Sequence, residues 1–156
     1  MAPEVFFSVC YGNSNPAQAI KDLHTFTPAT LDGYSRHRVL GADYPAIIAD
    51  SGGSVIGIFA TGLTDANMVK LDFFEGSEYR RAKVDITLAT AGSDQTAGDL
   101  VRSASTYIYL NPDALEDGEW DFEHFRREKL RFWSRAGLTF GEGDFLLYYT
   151  LCYKNS

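Results

Sequence analysis

Residues 55–88 constrain the fold more than any other stretch, because they read as a strand, a helix and a second strand with little chain between them. Val55 to Ala60 (VIGIFA) is an apolar run of strand length, bounded by Gly62, as a buried strand would be. Thr64 follows as a helix N-cap, since its side-chain oxygen can accept a backbone N–H of the first turn. Leu63 and Met68 stand where a hydrophobic staple would set the entry of the chain. Met68 and Leu71 supply a short apolar stripe, so the helix is expected to end near Phe74, with Gly76 as its stop. Glu75 is thereby placed at a helix end, entering a loop. Val84, Ile86 and Leu88 then alternate with Lys83, Asp85 and Thr87, the period of a half-buried strand.

The flanking segments extend this pattern. Residues 33–40 read as a strand, Gly41-Ala42-Asp43 as a turn, 44–49 as a short extended piece and Ser51-Gly52-Gly53-Ser54 as another turn. Residues 103–110 read as a strand stopped by Asn111-Pro112-Asp113. Residues 89–99 are a small, polar, glycine-containing loop without a phosphate-binding pattern. A helix is expected from about Phe122 to Ala136, with Asp121 as N-cap and Trp120 and Phe125 as a staple. Its acids come first and its Arg and Lys later, which complements the helix dipole and marks a solvated face rather than a binding patch. Pro3 and Glu4 suit a first helical turn, but Phe6 to Tyr11 suit a helix or a buried strand equally, before the breaker GNSNP. Phe145 to Tyr153 is apolar and aromatic, either an added edge strand or an exposed, aggregation-prone segment. Strands separated by one short and one longer helix amount to an α+β chain with a mixed, curved or barrel-like sheet.

Composition excludes several function classes. A chain of 156 residues that is 45% apolar and 14% aromatic supports one packed domain and not a disordered segment. The net charge of −7, without a basic stripe, argues against nucleic acid. No apolar run approaches the ~20 residues needed to cross a bilayer, and Met1 to Cys10 lacks the basic start of a signal peptide. A cytoplasmic protein with no membrane partner is therefore expected. Cys10 and Cys152 read as two reduced thiols, with nothing to support a disulfide between them. His24, His37 and His124 show no metal-ligand spacing and read as surface or half-buried residues. Serine-hydrolase, zincin, P-loop and dinucleotide motifs are missing from the sequence. Oligomeric state is not legible.

Chemistry concentrates in LDFFEGSEYRR, residues 71–81. Glu75, flanked by Phe73, Phe74 and Tyr79, has the setting of a desolvated carboxylate, whose raised pKa would suit general acid–base work. On the residues alone, a solvated glutamate at a helix end is the commoner case. Glu78 is expected to pair with Arg80 or Arg81.

The strings LDGYSRHRVLGADYPAII, GxVxGxFATGLT and LDxFEGSEYRR occur in that order and together resemble the γ-glutamylcyclotransferase-like family. Within it the likeness is to the branch first described as plant avirulence-induced proteins, and the GNSNP insertion is most like fungal members. The EWDFEHFRREKL helix matches too, so the resemblance spans roughly residues 1–136 as one domain and leaves 137–156 as an atypical apolar tail. It implies a small mixed β-barrel flanked by helices. It also implies cleavage of a γ-glutamyl amide by the substrate's own α-amino group, giving 5-oxoproline and a free amine, with no metal or organic cofactor. The family's catalytic glutamate falls on Glu75, and Tyr79, Tyr44 and Pro45 match positions that line the pocket. The partner so implied is a small γ-glutamyl peptide or amine.

One departure bears on activity. The family's first strand ends in a Tyr-Gly-Thr-Leu type loop, whose backbone N–H groups hold the substrate carboxylate and the oxyanion. Met1-Ala2-Pro3 aligns just after that loop, so the domain reads as N-terminally incomplete. As an alternative, Phe6 to Cys10 supply a substitute strand and Tyr11-Gly12 the loop, although the same residues resemble the family's first helix. A misplaced start and a retained non-coding stretch would account for both unusual ends. Two readings follow: an active γ-glutamylcyclotransferase, or an inactive truncated relative serving as a scaffold or binding module.

Overall fold

The computed structural model of the chain describes residues 3–42, 44–89, 100–118 and 150–152. Its elements run α1 (Pro3–Tyr11), α2 (Gln18–Lys21), β1 (Thr25–Arg38), β2 (Pro45–Thr61), α3 (Asp65–Glu75), β3 (Tyr79–Leu88), β4 (Leu100–Tyr109), a 3₁₀ turn at Pro112–Ala114 and β5 (Thr150–Cys152). The strands close a barrel in the order β1-β2-β5-β4-β3. β1 and β2 pair antiparallel from Thr25↔Thr61 to Arg38↔Pro45, and β3 and β4 from Tyr79↔Tyr109 to Leu88↔Leu100. β1 meets β3 at Ala29↔Leu88 and Thr30↔Thr87. β5 runs parallel to β2 at residues 58–60 and antiparallel to β4 at Ser105↔Cys152. The sheet is therefore mixed, and the chain is α+β.

Strand alternation builds the barrel interior. Ala29 and Leu31, Ile47, Val55 and Phe59, Val84 and Ile86, and Ala104 and Ile108 converge in one buried cluster. The opposite faces of β2 and β4 meet the helices. Phe6, Phe7 and Cys10 of α1 pack with Met68 and Leu71 of α3, Leu63, Ala60 and Tyr107. Lys70 on α3 donates to the Cys10 carbonyl, which ties the two helices together. No helix among the described residues is long and apolar enough to cross a membrane.

Several expectations are corrected. The segment that suited helix or strand is a helix, so Phe6 to Cys10 do not provide a substitute strand. Its apolar residues bury one face, and Gly12, at φ +72°, closes it by donating to the Ser8 carbonyl. β1 begins at Thr25 and not near 33, because Pro28 and the threonines around it masked an alternation that Ala29 and Leu31 carry inward. Residues 51–54 are not a turn between strands but part of a continuous β2. There the register passes from Asp32↔Ser54 to Tyr34↔Ala49, so residues 50–53 bulge opposite Gly33. Gly53 is required at that bulge, since a Cβ would stand 2.3 Å from the Tyr34 carbonyl oxygen.

The tail strand is not an edge: β5 has a neighbour on each side. His24 is buried, at 6% exposure, rather than at the surface. The loop at 90–99 and the expected helix at 122–136, with His124, lie outside the described residues, as does most of the tail.

Candidate active site

The site grows from the way α3 starts and stops. Thr64 caps it: its Oγ1 accepts the Asn67 N–H while the Asn67 side chain accepts the Thr64 N–H, a reciprocal capping box. Asn67, Met68 and Leu71 are buried, and Leu63 packs in the same cluster as Met68. Glu75 is seven residues after Met68 and four after Leu71, so the helical repeat carries it onto the buried face at the last turn. Gly76, at φ +75°, ends the helix there and donates to the Asp72 carbonyl. That turn feeds directly into β3, where Tyr79 is half-buried.

Burial of its carboxyl, above all else, pushes the Glu75 pKa up to about 7 from an ordinary value of 4.5. The field of the amino-terminal charge opposes that shift and is the smaller of the two causes. The flanking phenylalanines are not the cause of the desolvation. Phe73 is 88% exposed and Phe74 54% exposed. By helical period Phe73 points away from the Met68–Leu71 face, while Phe74, three residues after Leu71, borders it.

Tyr79 stands in the field of this carboxyl, and Tyr44 and Tyr109 stand beside Tyr79. The Tyr79 phenol is shifted upward by burial first, then by the fields of Glu75, Tyr44, Tyr109 and Glu78. The Tyr79 and Tyr109 rings meet edge to face with centroids 5.1 Å apart, as their cross-strand pairing dictates. Tyr44 is at the surface just before β2, and Pro45 is buried as the first residue of that strand. Of the four residues singled out from the sequence, Tyr79 is near both Glu75 and Tyr44, and Pro45 follows Tyr44 in the chain as the buried first residue of β2.

A second set was not foreseen. Asp72, one turn before Glu75, accepts both Nη1 contacts from Arg81, at 3.0 and 2.9 Å, and the Tyr107 hydroxyl at 2.7 Å. Arg81 therefore pairs with Asp72 and not with Glu78. The network pins the last turn of α3 to β3 and β4. Nothing in spacing announces it, since it depends on a hairpin register that only the fold sets. Tyr109 escaped notice for the same reason. Among the described residues no group of three or more His, Cys, Asp and Glu side chains could hold a metal ion.

Comparison with known proteins adds to this geometry. A family model described as gamma-glutamyl cyclotransferase, AIG2-like, matches residues 8–122. Protein AIG2 C of Arabidopsis thaliana is 35% identical over 100 residues, covering 64% of this chain and 56% of its own length. AIG2-like protein C of the same plant is 38% identical over 122 residues, covering 75% of this chain and 67% of its own. The chain thus spans 56% of the length of the first of these relatives. A solution structure from Arabidopsis thaliana superposes with a TM-score of 0.53 at 28% identity, covering 79% of this chain and 73% of the other.

Proposed function

The chain belongs to the gamma-glutamyl cyclotransferase, AIG2-like family, and from that premise we propose that it cleaves a small γ-glutamyl amide to 5-oxoproline and a free amine, with Glu75 as the general acid and base. The α-amino nitrogen of the substrate attacks its own γ-carbonyl carbon and forms the lactam C–N bond. The bond from that carbon to the departing nitrogen breaks. The attacking ammonium nitrogen gives up two protons as it becomes the lactam N–H, and the departing nitrogen gains two as it leaves as an ammonium ion, so no water is consumed and no electrons change hands.

A carboxyl of pKa about 7 can serve both steps, because near neutrality it is divided between the form that accepts and the form that donates. That half-buried Glu75 at the α3 terminus, raised toward neutrality by burial, is the single observation that carries the reading. Tyr79 stays protonated throughout the accessible range, its shift being upward. It is therefore a fixed donor toward charge that develops on the substrate oxygen. Tyr44 and Pro45 form the wall beside it. Because attack is intramolecular, much of the rate comes from folding the substrate into attack geometry against these residues. The chemistry is an exchange within one molecule and needs neither a metal nor an organic cofactor.

The test is release of 5-oxoproline by the purified chain from glutathione, a γ-glutamyl amino acid and the γ-glutamyl-ε-lysine isopeptide, beside Glu75→Gln. Release by the wild type and its loss in the variant are expected. A folded wild type that releases nothing from any γ-glutamyl amide, or a Glu75→Gln variant as fast as wild type, overturns the assignment.

A further inference from the structure

The loop that carries Tyr44 is fastened from outside itself. Residues 39–44 join β1 to β2, and two internal bonds shape them. The Ala42 N–H donates to the Val39 carbonyl at 3.0 Å, and the Val39 N–H to the Tyr44 carbonyl at 3.2 Å. The chain from Ala114 to Glu116 then lies along the end of β1. The Leu40 N–H donates to the Ala114 carbonyl and the Glu116 N–H to the Arg38 carbonyl, each at 2.8 Å, with Val39 and Leu115 paired antiparallel between them.

Arg38 locks the two pieces together. Its Nε donates to the Ala42 carbonyl at 2.9 Å, inside the loop, and its Nη1 stands 3.5 Å from Glu116 Oε1, across the seam. One planar guanidinium therefore holds both sides at a fixed separation, which a flexible ammonium cannot do. Glu116 is held again through its carbonyl, which accepts from His37 Nδ1 at 3.3 Å while the Ser35 hydroxyl donates to Nε2 at 2.8 Å. The side chains of the ion pair are 36% and 42% exposed, so the pair adds little to global stability. Its effect is local, in the placement of the loop. Val39 and Tyr109 belong to one buried cluster, and Ala42, Leu115 and Tyr79 pack against it. The loop, the 114–116 segment and Tyr79 thus share a small core, and Tyr44 and Glu75 both act on the Tyr79 phenol.

We infer that Arg38 and Glu116 are positioning residues of the active site, holding the 39–44 loop so that Tyr44 keeps its place as a wall for the γ-glutamyl substrate. The inference rests on the γ-glutamyl reading above and adds to it what sets that wall. Neither residue needs to touch the substrate. Each acts through Tyr44, so its loss lowers the fraction of bound substrate folded into attack geometry.

The experiment is a double-mutant cycle on the full chain, read in 5-oxoproline release from whichever of the three γ-glutamyl compounds named above is turned over fastest. Arg38→Ala should lower kcat/KM by ~10-fold, within what a misplaced positioning group can cause. In a Tyr44→Ala background the same change should lower it by less than about twofold, because the wall it positions is already gone. Glu116→Gln keeps an oxygen that accepts from the guanidinium and should hold most of the rate that Glu116→Ala loses. Amide hydrogen exchange gives a second readout that needs no turnover. In Arg38→Ala the Val39 and Leu40 amides should exchange at least ~3-fold faster, while the β3–β4 ladder stays as in wild type. No loss of rate in Arg38→Ala, an equal loss in both backgrounds, or exchange at Val39 and Leu40 that is unchanged or raised only along with the whole barrel overturns the inference and leaves the γ-glutamyl assignment standing. A wild type that yields no 5-oxoproline from any of the compounds overturns that assignment, and with it the role given to the loop.

Discussion

Two aromatic groups border the same core cluster of the fold, and they treat a buried titratable group in opposite ways. In the first, Phe6, Phe7, Tyr11 and Phe26 enclose His24, with ring centroids 4.9 to 6.4 Å apart in mostly edge-to-face contacts. Both imidazole nitrogens are engaged. Nδ1 lies 3.2 Å from the Thr61 carbonyl, to which it donates, so Nε2 accepts from the Tyr11 hydroxyl at 2.6 Å. In the second, the Tyr79 and Tyr109 rings meet edge to face, and Tyr79 lies in the field of the half-buried Glu75 carboxyl. Desolvation disfavours the charged form in both, lowering the His24 pKa and raising that of Glu75. The second brings a carboxyl to titrate near neutrality. A buried group with a partner at each nitrogen holds a structure together, whereas a carboxyl raised toward neutrality at a helix end is suited to chemistry.

That contrast is broken most sharply by a pair of substitutions with crossed effects. Glu75→Gln should reduce 5-oxoproline release by ~10²–10⁴-fold, the range assigned to a general acid–base group, with a thermal midpoint no lower than wild type. Phe6→Ala should do the reverse. Phe6 is fully buried at 0% exposure, so its loss should cost about 3–5 kcal/mol of unfolding free energy. Turnover per folded molecule should fall far less than in Glu75→Gln, because Phe6 packs with Met68 and Leu71 and meets the site only through Tyr79, which borders the same cluster. Thermal melts and active-site-normalised rates read the two effects separately. A Phe6→Ala variant that folds but turns over as slowly as Glu75→Gln would mean that the shared cluster holds the site in place.

The two clusters also differ in how far they could be read from the chain. The Glu75 end was legible because local signals agreed there: a capped helix, a two-residue apolar stripe, a glycine stop and an alternating strand lie within Thr64–Leu88. The resemblance to a known family added Tyr44 and Tyr79 from a distance. The His24 cluster was not legible. A histidine between Leu23 and Thr25 looks like any surface residue until β1 is seen to begin beside it, and that start was hidden by Pro28 and its threonine neighbours. The barrel class was inferred correctly, but the bulge at residues 50–53 was mistaken for a turn, since Ser-Gly-Gly-Ser satisfies either. The Asp72–Arg81–Tyr107 network spans three elements, so no local window could contain it.

Stability as a function of pH sharpens the comparison on a smaller scale. Glu75 has a folded pKa of about 7 against 4.5 when solvated, so between those values the folded chain binds the extra proton. Its contribution therefore falls as pH rises through that window. His24 is shifted the other way, so its contribution is lost as pH falls below the ordinary histidine value of 6.5. Replacing Glu75 by Gln removes only the first slope. The variant should match wild type near pH 4.5 and exceed it by about 1–2 kcal/mol above pH 7, a figure reduced from the full shift because the carboxyl is partly solvated. Denaturant melts across pH 4–8 measure this directly. A constant difference at every pH would show that the carboxyl is solvated in the folded chain.

Tyr107→Phe should have the smallest effect. The substitution keeps the buried ring and removes only the hydroxyl that donates to Asp72 at 2.7 Å. Asp72 retains Arg81 and is partly solvated, so the loss should be about 1 kcal/mol. What matters is where that loss falls. Asp72 precedes Glu75 by one helical turn, and the contact to β4 is part of what holds that turn against Tyr79. A looser turn admits water to the Glu75 carboxyl, and hydration favours its ionised form. The midpoint of the pH–rate profile should therefore move below that of wild type, toward the ordinary carboxylate range, while KM changes little. A purely structural role would lower the melting temperature and leave the midpoint in place. The direction of that midpoint thus decides whether the burial of Glu75 is maintained by the helix alone or by its attachment to the sheet.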